Sequence, residues 1–362
     1  MNRRTALVSF SFVLIAASLI SLFAAIRLRA QTSSPVLLVL EKADHKLAIV
    51  DPVKLTVIAR VPAGPDPHEV AASSDGRTAY ISNYGGPDSD LHTISVVDLA
   101  ARKALPAIDI SPLHSAHGLD FIAGKLYFTA ETNKVIGRYD PRTRRIDWIL
   151  GTGEDRTHMV WVAPSLDQIF TSNVNSGTIS IIEYITPPSP GFIPPGGLRK
   201  TWEVTNVRSG RGSEGFDVSP DGNEIWAANA LDDTVTIIDV ARKKARQTFR
   251  ISVKGANRLK FTPDGKYVLI SGLGGPSLGG ESSNPNLVVI DVATRKEIKK
   301  LSLGGGSAGI LIEPGGARAY VAVSAANKVA VIDLKTLKVT GEIQTGRGPD
   351  GMAWVTKPVA GD

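Results

Sequence analysis

Apolar and polar positions along this chain fall into short runs of strand length, and the runs recur as one unit. The clearest part of the unit is an apolar stretch closed by a carboxylate: AIVD, SVVD, GRYD, SIIE, TIID, VVID and AVID end at Asp51, Asp98, Asp140, Glu183, Asp239, Asp291 and Asp333. Their spacings are 47, 42, 43, 56, 52 and 42 residues, and the longer ones contain Gly/Pro-rich insertions. Before each such stretch comes a run rich in β-branched and aromatic residues, as in TAYISN, QIFTSN, EIWAAN and RAYVAV. Tight turns (SSDG 73–76, SPDG 219–222, TPDG 262–265, EPGG 313–316) separate that run from a first, shorter one. A basic turn, as in DVARKKARQTF, leads to a fourth.

Four antiparallel strands at a period near 42 residues describe a propeller blade. Seven strand endings predict an all-β, seven-bladed β-propeller of four-stranded blades occupying residues 31–362 as one domain. The N-terminal part supplies three strands (VLLVLEKA, LAIVD, TVIARV), and DGMAWV at 350–355 supplies the missing first strand, so both ends of the chain close the last blade.

The units YISN, FTSN and WAAN ahead of the VID strand, with PDG upstream, resemble the YVTN-type repeat family, seven-bladed propellers that include the YncE-like exported proteins. The resemblance covers residues 36 to 356 and implies a fold, because the repeated residues build blades. The same superfamily includes lactonase-type hydrolases and haem d1-type propellers. It therefore implies two alternatives to a non-enzymatic binding protein: a cofactor-dependent enzyme using a transition metal or a haem d1-type group, and a lactonase.

Composition narrows the setting. Arg3 and Arg4 precede an apolar run from Ala6 to Ile26, and Ala30 fits the end of a cleavage site, so residues 1–30 read as a signal peptide. The run is long enough to span a bilayer and Arg27 and Arg29 follow it, so an N-terminal anchor is the other reading. Either way a periplasmic or extracellular protein is expected. The formal charge of +6 drops by four, to +2, without those four arginines, which argues against a nucleic-acid partner. The chain has no cysteine, which excludes disulfides, thiolate metal sites and Cys-x-x-Cys-His haem attachment. A monomer is expected, with a small molecule or a protein as partner.

Register explains several tempting motifs. GRGSEG at 210–215 and GRGPDG at 346–351 match a dinucleotide fingerprint, and GGSAG at 305–309 matches a nucleophile elbow, yet a strand follows each where a helix is needed. The basic turns (Lys54; Arg102, Lys103; Arg142, Arg144, Arg145; Arg242, Lys243, Lys244; Arg295, Lys296; Lys335, Lys338) share one position in the unit. They read as solvated hairpins whose preceding Asp bonds the turn backbone; the alternative is an interaction scaffold with a polyanion-binding rim.

Residues 213–239 carry seven carboxylates, and register separates them too. Asp221, Asp232 and Asp233 belong to turns, Asp239 ends the repeated strand, and Asp217 and Glu224 read as solvated. Glu214 alone aligns with a position that the repeat leaves free: His68, His117, His158, Glu214, Asn257, Ala308 and Asp350, near the start of each first strand. First strands line the central channel, so these side chains are expected to ring one mouth, and His68, His117, His158, Glu214, Asn257 and Asp350 form the expected ligand site. His68, His117, His158 and Glu214 are a transition-metal donor set, and imidazoles and carboxylates also serve as acids and bases. The remaining histidines, His45, His92 and His114, fall in loops on the same face. The insertions at 84–92 and 272–286 open there as well, where they could form a rim.

Overall fold

The computed structural model describes residues 34–85, 91–187, 197–274 and 285–356. The segment read as a leader, residues 1–30, and most of the insertions at 84–92, 186–200 and 272–286 lie outside the described residues.

Seven four-stranded antiparallel sheets make the ring, as the repeat predicts. Numbered from the first complete unit, the first strands of blades 1 to 7 are Pro67–Ala72, Ala116–Ile122, Thr157–Val162, Ser213–Val218, Ala256–Phe261, Ile310–Ile312 and Pro349–Val355. Each first strand touches the next around the ring. Pro349–Val355 pairs with Val36–Glu41, the second strand of blade 7, with Leu37 opposite Trp354. Second strands are almost wholly buried, while fourth strands such as Arg145–Gly151 alternate exposed and half-buried side chains at the rim. Apolar side chains collect into seven clusters, one in each gap between blades.

In six of the seven blades the carboxylate that ends the third strand turns back onto the following turn; Glu183 of blade 3 instead pairs with Lys243. Oδ1 of Asp51, Asp98, Asp140, Asp239, Asp291 and Asp333 accepts from the backbone N–H of Val53, Ala101, Arg142, Arg242, Thr294 and Thr336 at 2.7–2.9 Å. Several of the basic residues there are themselves paired: Arg242 with Asp239, Lys243 with Glu183 and Arg295 with Glu224. Asp221 likewise accepts from Ser219 Oγ and the Asn223 N–H, which makes it a turn residue.

Two expectations fail. Asp217 and Glu224 are not free, solvated carboxylates: Asp217 accepts from the Phe261 N–H at 2.9 Å and pairs with Lys260, and Glu224 accepts from Trp226 Nε1 and binds Arg246 and Arg295. Asp120 repeats the Asp217 device, accepting from the Val162 N–H of the next blade at 2.8 Å. Both carboxylates tie a first strand to its neighbour, a role that position within one unit does not reveal.

Burial pushes the Asp120 carboxyl up to about 6, against the lowering effect of the Val162 N–H and Lys260. Because the folded value is raised, stability is full below the ordinary carboxyl range and is lost as pH rises through the window from about 4 to 6. The free-energy advantage of Asp120→Asn over the native chain should therefore grow by about 2–3 kcal/mol between pH 4 and pH 7. Chemical denaturation at the two pH values measures it, and an unchanged difference contradicts the assignment.

Candidate functional site

The ring position owes its geometry to three backbone devices. In blades 1 to 5 the pairing of first and second strands slips across it, between Pro67 and Val70, Ala116 and Leu119, Thr157 and Val160, Ser213 and Phe216, and Ala256 and Arg258. Such a bulge re-aims a side chain out of the sheet. A hydroxyl on the preceding blade's second strand then holds the ring residue's carbonyl: Thr129 Oγ1 donates to His158 O at 2.6 Å, and Ser172 Oγ to Glu214 O at 2.5 Å. Glycine after the ring residue permits the approach, since a Cβ on Gly118 would lie 2.5 Å from His158 O.

All seven ring positions line one cavity of about 470 Å³ at the end of the channel, together with Lys42, His45, Asp66, Arg156, Arg258 and Ser324. The three imidazoles follow one another around it. The His68 and His117 ring centroids are 4.8 Å apart and those of His117 and His158 are 3.7 Å apart. His117 and His158 are each 2% exposed. Asn257 and Asp350 complete the lining, with Arg258 Nη1 3.3 Å from Asn257 Oδ1. His45 also faces this cavity, whereas His92 and His114 sit edge to face at 6.0 Å, with His92 Nδ1 on Asp109.

His158 lies between two carboxylates. Its Nδ1 contacts Glu131 Oε1, and its Nε2 lies 2.8 Å from Glu214 Oε2 but is not aligned as a hydrogen bond. Burial disfavours the imidazolium, yet the Glu214 and Glu131 carboxylates outweigh burial and raise the His158 pKa above its usual value. His117 behaves oppositely. Desolvation, joined by His158, His68 and two arginines, holds it well below the usual range, and its buried Nδ1 has no hydrogen-bond partner. Glu214 resists burial through His158, Arg258 and Arg156 and falls to about 2.

Glu131 is the residue that sequence reasoning missed. It follows the second strand of blade 2, where the other blades carry Tyr84, Val174, Ala230, Leu273, Ser324 and Lys42. A lone acid at that register, after KLYFTA, was the available signal. Tyr84 Oη donates to Glu131 Oε2 at 2.7 Å and Arg156 Nε donates to the same oxygen at 3.1 Å. Among the described residues, His117, Glu131 and His158 are the group whose donor atoms, all within 4.8 Å of one another, fit a single ion. His68, expected in that group, instead contacts Asp66 at 3.3 Å and packs on Tyr84.

Arg156 is the second omission. Its φ of 60° falls where blades 4, 5 and 7 place Gly212, Gly255 and Gly348 at 70°, 59° and 63°. A side chain in that conformation costs about 1–2 kcal/mol, offset here by contacts with Glu131 and Glu214.

One residue after the ring position, Glu69 of blade 1 and Arg258 of blade 5 meet across the channel, Nη2 to Oε1 at 2.7 Å. This bar separates the histidine-rich cavity from a second one of about 550 Å³, lined largely by apolar residues such as Trp161, Leu311 and Met352.

No family model and no curated protein matches this sequence. Solved structures do match. A functionally unknown protein from Desulfotomaculum acetoxidans DSM 771 shares 12% identity at a TM-score of 0.68, covering 89% of this chain and 99% of its own. A candidate 6-phosphogluconolactonase from Bacteroides uniformis ATCC 8492 shares 13% at 0.66, covering 90% and 100%. Kuenenia stuttgartiensis hydrazine synthase shares 18% at 0.60, covering 78% and 87%. What they share with this chain is the propeller. At these identities the likeness is of fold alone.

Replacing Arg258 with alanine would leave Glu69, whose side chain is 14% exposed, without its cation, so Arg258→Ala should lose about 3–5 kcal/mol of folding stability. Urea denaturation measures the loss. A loss below about 1 kcal/mol would mean that the bar is solvated.

Proposed function

We propose that the chain is an exported propeller of the YVTN type that binds a small ligand at the histidine-rich end of its channel without turning it over. The observation that carries this reading is His117, buried on a cavity lined by all seven repeat-equivalent positions and holding an unpartnered Nδ1. A blade needs no imidazole there, since Ala308 and Asn257 fill the same position in other blades. Buried polar atoms are normally satisfied, so an orphan on a cavity wall favours a bound partner. Arg3, Arg4 and the apolar run to Ile26 support export. The YISN, FTSN and WAAN units support the family assignment.

A second reading, a lactonase-type hydrolase, draws on the contacts of His158 with Glu131 and Glu214, an arrangement able to hold and pass a proton. The likeness to the candidate 6-phosphogluconolactonase adds the fold on which such chemistry occurs.

Native mass spectrometry of the untagged protein, taken from the exported fraction of its host, should show a stoichiometric small adduct that His117→Ala lacks. A bare wild-type chain, or one found in the cytoplasm, contradicts the proposal. Hydrolysis of 6-phosphogluconolactone should not exceed the uncatalysed rate; turnover abolished by His117→Ala would favour the second reading.

A further inference from the structure

We infer that the ligand at this site is, or is held through, a first-row transition-metal dication bound by His117, Glu131 and His158. The inference rests on reading the mouth as a ligand site, and four observations carry it further. The first is the donor set. Two imidazoles and one carboxylate have donor atoms within 4.8 Å of one another; His117 and His158 line the cavity, and Glu131 is buried beside His158. Three protein ligands leave a fourth position of a tetrahedral ion for a non-protein ligand, and nitrogen donors select zinc, cobalt or iron over magnesium and calcium.

The second observation is the unpartnered Nδ1 of His117, 2% exposed. Leaving such an atom unsatisfied costs about 1–3 kcal/mol, and a metal bond from this ring would repay it. The third is charge. Five carboxylates surround the mouth: Asp66, Glu69, Glu131, Glu214 and Asp350. The permanent cations there are Lys42, Arg156 and Arg258, so carboxyl groups outnumber them by five to three, although burial pushes the Asp350 carboxyl up.

The fourth observation is the surrounding support. Tyr84 and Arg156 both hold Glu131 Oε2, which turns Oε1 toward His158. A bound ion would displace the proton shared by His158 Nδ1 and Glu131 Oε1, which must move apart to admit it, and that proton would leave to solvent. Glu214 Oε2 lies 2.8 Å from His158 Nε2, out of line for a hydrogen bond, and would have to realign to receive the other ring N–H. A carboxylate behind a metal-bound imidazole in this way fixes its tautomer and orientation.

The test uses the full, untagged chain stripped with a chelator and titrated with Co²⁺, followed by calorimetry and visible absorption. We expect about one equivalent to bind with a d–d band, unaffected by equimolar Mg²⁺. His117→Ala and Glu131→Gln should each weaken binding about tenfold or more, and His68→Ala less than about threefold. Absence of saturable Co²⁺ binding, or binding that both substitutions leave unchanged, overturns the inference. If those variants do not fold, the imidazole ¹⁵N resonances of the wild type in Zn²⁺ decide the matter: shifts at His117 and His158 uphold it, and unshifted resonances overturn it. A wild type that carries an organic adduct but binds no cobalt overturns the metal while leaving the ligand reading intact. A wild type with neither ends both.

Discussion

Closure of the ring is the constraint on which everything else depends. Pro349–Val355 completes the sheet begun by Val36–Glu41, joining segments more than 300 residues apart. Glu41, fully buried, sits at that seam and accepts from the Gly346 N–H at 2.7 Å and from Arg60 Nε at 2.9 Å. The seam also brings Asp350 beside His68, because a Cβ on Gly351 would lie 2.4 Å from His68 O. Without it two sheet edges would lie bare and the mouth would be an open arc.

Within the closed ring, structure and chemistry use different positions of the same repeat. The Ser or Thr of the second strand secures the neighbouring blade, as Thr129 does for the His158 carbonyl, and the Asn beside it secures its own blade, as Asn173 does through Thr178 and Ser180. Side chains at the ring position are left free to differ. Blades 1, 2 and 3 spend that freedom on histidines, and blade 4 on Glu214. The consequence is a graded mouth: one arc holds the tilted rings of His68, His117 and His158 in contact, while the other arc holds Asn257, Ala308 and Asp350. The mouth therefore presents two chemically distinct walls.

The blades were legible because a period near 42 residues repeats the strand ending seven times, and a turn-forming Asp leaves a mark in six of the copies. The ring position was legible for the same reason: its register is constant. Glu131, Tyr84 and Arg156 were not, because each acts across a gap between blades and occurs once. Asp217 looked solvated since its partners, Lys260 and the Phe261 N–H, lie 43 and 44 residues away on the next blade. Glu69 and Arg258, 189 residues apart, meet only because the ring brings blades 1 and 5 face to face across the channel. Periodicity reports what a blade does for itself; it is silent on what one blade does for another.

The inferred metal site lies on the blade 2 and blade 3 side of the mouth, at His117, Glu131 and His158. Anomalous diffraction at the cobalt edge from crystals soaked in Co²⁺ tests it most directly. One strong peak is expected within bonding distance of those three side chains, about 2.0–2.2 Å from each donor atom. A mouth without a peak, or cobalt seated only at the outlying His92 and His114 pair, would contradict it.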